Sequence, residues 1–385
     1  MQRALHASAH LIELYRDVGE PRSDSLLDVL ERHSGEALHE NTLQSTPFCT
    51  VRAFRREGET PARRVLLVAP LSGYTTSLQS DLIAALLPHQ EVIVTDWHDA
   101  RLIPLAAGGF SLDDQVLFVE RLLRELGPDL HLVGVSQGCL AAFTAVSLLA
   151  GDAPQAAPFS LSLLGGPIDT DRSPKPWQPW FRQIPETALE HSMLVEVPAR
   201  FPGVGRKVYP GYVQLAFFLN VTPTLFREAA LGIWYARQYE DRAVQLYQAS
   251  RLFDDLHAVM DIPGEVFLQS VMQSYSRDAL GRQRVYVQGR HVEPLSLGST
   301  ALLTMEAERD ELVGADQTHA AHGLCWRLRD QDRAMVTLPD ARHYELFNGA
   351  RVFDSVAPAL YRFMVAHERG KARLRSTAAL PQPQP

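Results

Sequence analysis

Leu130-His131-Leu132-Val133-Gly134-Val135-Ser136-Gln137-Gly138 passes from an apolar run into an alanine-rich one at residues 139–150. The first run reads as a buried strand and the second as a helix, so Gly134-x-Ser136-x-Gly138 falls on the turn between them. A serine hydroxyl stands clear of the chain only where the backbone turns sharply, and that turn strains the serine's own conformation. The positions two before and two after then crowd each other, which is why glycine suits both. The pattern is that of a nucleophile elbow and predicts a serine hydrolase.

On either side of this turn, short apolar runs alternate with helical patterns. Val65-Leu66-Leu67-Val68 reads as a strand feeding the loop Ala69-Pro70-Leu71-Ser72-Gly73. A helix at 78–87, a strand at 91–96, a helix at 112–126 and a strand at 159–164 complete the first block. The rhythm stops at Gly165 and resumes with a strand at 300–305, a helix at 317–329, a strand at 335–338 and a closing helix at 352–367. Largely apolar strands alternating with helices predict a parallel sheet covered on both faces. The fold class expected is therefore α/β, an α/β-hydrolase fold with a mostly parallel sheet and an inserted helical cap. In residue terms, 1–60 is a mostly helical lead-in with Asp24 as a capping residue, and 61–166 with 299–370 is the catalytic domain. Residues 167–298, rich in aromatics such as Trp177, Trp180, Phe217 and Phe218, form the cap, and 371–385 is a disordered tail.

Composition narrows the function. A chain of 385 residues that is 46% hydrophobic and 21% charged can bury a large core. Its net charge of −8 and lack of a long basic run exclude a nucleic-acid surface. No stretch is apolar enough to span a bilayer and the N-terminus lacks a signal-peptide pattern, so the cytoplasm is the default compartment. Three dispersed cysteines, Cys49, Cys139 and Cys325, make neither a disulfide framework nor a zinc ribbon. His319 with His322, and His6 with His10, have helical spacing but no third ligand, so no metal and no cofactor are expected. A homo-oligomer is left open.

A serine needs a general base held by a third group, and in this fold they follow in the order serine, acid, histidine. His343 lies after the last strand and before the last helix, where the base belongs. The loop after the 300–305 strand offers Glu308, Asp310, Glu311 and Asp316 as the acid, with Asp340 as a competitor beside the histidine. The oxyanion hole needs two backbone N–H groups: one from Gln137, after the nucleophile, and one from Leu71 in the loop after the first parallel strand. Cys139 reads as a small packed residue of the elbow helix, not a second nucleophile.

Further strings along the chain carry a resemblance: Pro47-Phe48-Cys49, Val68-Ala69-Pro70-Leu71-Ser72-Gly73, Thr95-Asp96-Trp97-His98-Asp99-Ala100-Arg101, Leu164-Gly165-Gly166-Pro167-Ile168-Asp169-Thr170, Val208-Tyr209-Pro210-Gly211 and His343-Tyr344. Over about residues 47–366 the chain resembles the intracellular poly(3-hydroxyalkanoate) depolymerases. The resemblance implies hydrolysis of stored polyester, a granule or hydroxyalkanoate oligomer as substrate, and association with storage granules. It implies Ser136 as nucleophile, Asp310 as acid and His343 as base. The family usually carries a cysteine followed by Gln-Pro at the elbow, whereas this chain has Ser136-Gln137-Gly138. A thiol ionises near neutrality while a serine relies wholly on its base, so acyl transfer is kept and substrate choice is left open. The competing functions are a carboxylesterase or thioesterase on small acyl groups, an acyl-transferring polymer synthase, and a non-catalytic granule-binding protein.

Overall fold

The computed structural model describes residues 25–378 except 62, 75–77, 240–241, 277–279, 295–296 and 299. Its centre is an eight-stranded sheet: β1 (Leu38–Ser45), β2 (Cys49–Arg56), β3 (Arg64–Val68), β4 (Glu91–Trp97), β5 (His131–Val135), β6 (Ser160–Leu164), β7 (Ala301–Ala307) and β8 (Arg333–Leu338). The strands lie in the order β1-β2-β4-β3-β5-β6-β7-β8. β2 runs antiparallel to β1 and β4, and every pairing from β4 through β8 is parallel. Helices cover both faces of this sheet, and the whole is an α/β-hydrolase fold.

The central strands are apolar on both faces because both faces are covered. Leu66, Leu67, Leu132, Val133, Leu161 and Leu163 are completely buried. The helix after the elbow, Gly138–Asp152, is buried all round from Gly138 to Ala150, which explains its uniformly apolar sequence. The helix Leu112–Leu126 is amphipathic instead, and Ser111 with Asp114 forms a capping box at its start.

Several expectations need correction. Over its described residues, 25–60, the lead-in is not mostly helical. After the helix Leu26–Ser34 it supplies β1 and β2, a hairpin on the sheet edge. β1 hides from a periodicity reading because it is an edge strand, with only Leu38 buried along its length. The cap of Leu26–Ser34 is Ser25 in a box with Asp28, whereas Asp24 lies outside the described residues. So do His6 and His10. The helix expected at 317–329 shrinks to Ala321–Leu324. Glu306 takes the N–H groups of Asp316, Thr318 and His319, which holds the preceding chain in turns. The last helix runs Ala357–Ala378, so the tail cannot begin at 371; helix-forming Lys371, Ala372 and Arg373 continue it, and 379–385 lie outside the described residues.

Between β6 and β7 the chain leaves the sheet and builds a largely helical segment. Its longer helices are Gly211–Val221, Pro223–Ala236, Ala243–His257 and Gly264–Val271. A small sheet of Val195–Glu196, Lys207–Tyr209 and Ile262–Pro263 ties it together. Arg206 fastens it to the β4 side, donating to the carbonyls of Ile103, Pro104 and Gly108. Arg342, next to His343, pairs with Glu228 of the Pro223–Ala236 helix at 2.7 Å.

Candidate active site

Ser136 follows β5 directly and has a positive φ of 49°, the left-handed region that a serine rarely adopts. Its neighbours make the strain necessary. A Cβ on Gly138 would lie 2.3 Å from the Val68 carbonyl oxygen at the end of β3. A Cβ on Gly134 would lie 2.8 Å from the Cys139 Cα. Both glycines are therefore imposed by packing, as the strand–turn–helix reading requires.

The turn presents Ser136 Oγ to His343 Nε2 at 2.9 Å. On the other side of the ring, His343 Nδ1 meets Asp310 Oδ2 at 2.7 Å. A carboxylate only accepts, so Nδ1 carries the proton, and Nε2 is left to accept from the serine hydroxyl. Asp310 is itself pinned. Its Oδ1 accepts from the N–H groups of Leu312 and Val313 at 2.8 and 2.7 Å. His343 is 1% exposed and Asp310 6% exposed, so the pair works out of reach of bulk water.

Of the acidic candidates, Asp310 is the one brought to the histidine. Glu308 accepts from the Asp340 N–H, Glu311 faces Arg342, and Asp340 pairs with Arg309 in solvent. Asp316 has a positive φ on an exposed turn. His319 and His322 meet across the Thr304 hydroxyl, at 2.6 and 3.0 Å. Burial, with the charges of His319 and Arg333, lowers the His322 pKa to about 4.

The loop after β3 approaches the elbow from the opposite side. The Leu71 N–H donates to the Gln137 side-chain oxygen at 3.3 Å. Thr95 and Trp97 hold this loop through Ala69, at its N–H and its carbonyl. Cys139 is completely buried, with its thiol directed at the Gly134 and Leu164 carbonyls. Burial raises that thiol well above its ordinary pKa, which removes it as a nucleophile.

Four contributors escaped the sequence reading as site residues. Gly165, at a φ of 59°, lets β6 end against the imidazole: a Cβ there would lie 3.2 Å from His343 Cε1. Gly166 gives way to Cys139 in the same manner. The paired glycines immediately after a strand were the available signal. The donors Leu312 and Val313 left none, because any residue supplies a backbone N–H.

A family profile described as "PHB de-polymerase C-terminus" matches residues 165–368, more than half of the chain. The chain belongs to that family. Among solved structures it is similar to a putative lipase from Acinetobacter baumannii at 15% identity, over 90% of this chain and 99% of that one, with a TM-score of 0.49. It is also similar to the monoacylglycerol lipase of Paleococcus ferrophilus (15% identity, 83% and 99% coverage, TM-score 0.47). A thermophilic esterase from Thermogutta terrifontis gives 16% identity, 86% and 99% coverage, and a TM-score of 0.46. No curated protein sequence matches the chain significantly.

In this PHB de-polymerase family member, Ser136 and His343 open onto a cavity of about 180 Å³. Most of the wall comes from the segment between β6 and β7, with Trp177, Phe181, Phe217, Phe218, Phe267 and Tyr275 giving it an aromatic surface. Trp177 sits edge-on to Phe217 and Tyr275, at ring separations of 5.1 and 5.2 Å. Burial, then the charge of Asp310, raises the Tyr275 hydroxyl pKa; burial, then Glu311 and Asp310, does the same to Tyr344. Both phenols therefore stay neutral donors beside the relay. Among the described residues no helix is long and apolar enough to cross a membrane, and no cluster of His, Cys, Asp and Glu has metal-site geometry.

Proposed function

We propose that the chain hydrolyses ester bonds of poly(3-hydroxyalkanoate), polyhydroxybutyrate among them, through an acyl-enzyme on Ser136. The observation that carries this is the continuous chain Ser136 Oγ–His343–Asp310 at 2.9 and 2.7 Å, opening onto an apolar cavity. Membership of the PHB de-polymerase family supports the polyester as substrate.

Ser136 Oγ attacks the ester carbonyl while His343 Nε2 takes its proton, and Asp310 holds the ring and stabilises the imidazolium. The carbonyl oxygen, now an oxyanion, is held by the N–H groups of Gln137 and Leu71. The Leu71 N–H is bonded to the Gln137 side chain at rest, so substrate displaces that amide oxygen to gain the donor. The N-terminus of the Gly138–Asp152 helix adds its positive end to the same spot. His343 returns the proton to the leaving alcohol, and water then repeats the sequence to release the hydroxyacid. No step calls for a cofactor.

A carboxylesterase on small acyl groups is the second reading, favoured by the modest cavity volume of about 180 Å³. Wild-type protein and Ser136→Ala are incubated with amorphous short- and medium-chain polyester granules and with a soluble ester, and the products are analysed. Hydroxyacid from granules with wild type alone is expected, with circular dichroism unchanged in the variant. Release by Ser136→Ala overturns the nucleophile. Turnover of the soluble ester with none on granules selects the second reading.

A further inference from the structure

The string Thr95-Asp96-Trp97-His98-Asp99-Ala100-Arg101 runs off the end of β4, and its first five side chains alternate between two neighbours. Asp96 pairs with Arg52 of β2 at 2.9 Å, and the His98 ring meets the Thr50 hydroxyl and the Pro47 carbonyl. Thr95, Trp97 and Asp99 serve the loop after β3 instead. The Thr95 hydroxyl accepts the Ala69 N–H at 3.0 Å, and the Trp97 indole donates to the Ala69 carbonyl at 2.9 Å. The Tyr74 hydroxyl donates to Asp99 Oδ2 at 2.8 Å. The loop is thus fastened at residues 69 and 74, with Leu71 between them.

The anchor at the far end is itself fixed. Asp99 is 2% exposed, and Arg101 Nε lies 3.0 Å from the carboxylate oxygen that Tyr74 uses. Arg101 Nη2 donates to the phenol oxygen at 3.4 Å, which leaves the phenol proton for Asp99. Burial, then the charge of Asp99, raises the Tyr74 pKa, so that proton stays on the phenol. Asp99 Oδ1 accepts the N–H groups of Arg101 and Asp261 at 3.1 and 3.3 Å. Between the two fastenings Ser72 and Gly73 supply no large side chain to grip. A Cβ on Gly73 would lie 2.6 Å from Leu78 Cδ1.

The Leu71 N–H is bonded to the Gln137 side chain at rest and must leave it when an oxyanion forms. At that moment the loop alone aims the donor, and a donor misplaced in the transition state costs rate rather than binding. We propose that Tyr74, anchored on Asp99, is a positioning residue of the oxyanion hole, bracing the loop so that the Leu71 N–H points at the reacting carbonyl oxygen. This rests on the ester-hydrolase reading above.

Tyr74→Phe removes the hydroxyl and keeps the ring. Should it fail to fold by circular dichroism, Asp99→Asn weakens the same bond and is read in its place. On a soluble hydroxyester, kcat is expected to fall about tenfold with KM unchanged, because the donor acts in the transition state. The pH profile of kcat/KM, which reports His343, should match that of the wild type. A kcat equal to wild type, or a loss confined to KM, overturns the proposal and leaves the hydrolase reading standing. A shifted profile does the same, since it routes the effect through His343. Hydrogen exchange over residues 69–74 gives an arm without turnover, and it should quicken about tenfold in the variant. Equal exchange overturns the brace. Faster exchange, with no ester turned over by the wild type, upholds the brace and overturns the hydrolase reading.

Discussion

Replacing Asp310 by asparagine tests the relay at its most constrained point. Oδ1 of Asp310 accepts two backbone N–H groups at 2.8 and 2.7 Å, and an amide NH₂ placed there would set donors against donors. The asparagine must keep its oxygen on that side and turn its NH₂ toward His343 Nδ1. That nitrogen must then accept, which moves the ring proton to Nε2, 2.9 Å from Ser136 Oγ. The histidine presents a proton where it should receive one. In a serine relay such a reversed tautomer costs a factor of about 10⁴ in kcat, or about 5 kcal/mol at ~1.4 kcal/mol per decade. Initial rates on a soluble hydroxyester give the loss, and ¹⁵N spectra of the imidazole give the protonated nitrogen. Asp310→Asn activity within tenfold of wild type, or a proton still on Nδ1, refutes the argument.

Gly138→Ala is expected to cost about 3 kcal/mol, since its Cβ would sit 2.3 Å from the Val68 carbonyl oxygen and neither chain can retreat; a denaturation midpoint equal to wild type speaks against the tight elbow. Iodoacetamide should leave the native protein unlabelled, because Cys49, Cys139 and Cys325 are buried and burial raises all three thiols, Cys325 to about 12. Ser136→Cys should be alkylated quickly at position 136, where His343 favours the thiolate; peptide mass spectrometry decides, and rapid labelling of native Cys139 contradicts the burial. His322 has its pKa lowered to about 4. The unfolded chain therefore binds a proton that the folded one refuses, and this residue's contribution is complete above about pH 6.5 and fades as pH falls toward 4. With allowance for screening, the loss is on the order of 2 kcal/mol. His322→Gln should flatten stability over that window, and an unaltered pH slope would disprove the assignment.

The elbow was legible because its causes are local: Gly134 and Gly138 are dictated by contacts with Cys139 and with the neighbouring strand. Asp310 and His343 were legible as positions after strands, yet spacing could not choose among four acids on one loop. The choice is made by two backbone donors that any sequence could supply. β1 was missed because an edge strand with one buried side chain carries no clean alternation. That the cap is rich in aromatics was legible, but not which rings line the cavity together, because Trp177, Phe217 and Tyr275 meet only through packing across long separations in the chain.

Ser136, Asp310 and His343 come from three strand-end loops, whereas most of the cavity wall comes from the excursion between β6 and β7. Under the proposed function, reaction and clientele are thus encoded in separable stretches of the gene. Recombination or a laboratory graft that exchanges residues between Ile168 and Thr300 would re-address the enzyme to another ester without rewriting how the ester is cut. The graft must still bring a carboxylate to Arg342, where Glu228 now stands, and a guanidinium to the carbonyls of Ile103, Pro104 and Gly108, where Arg206 now donates.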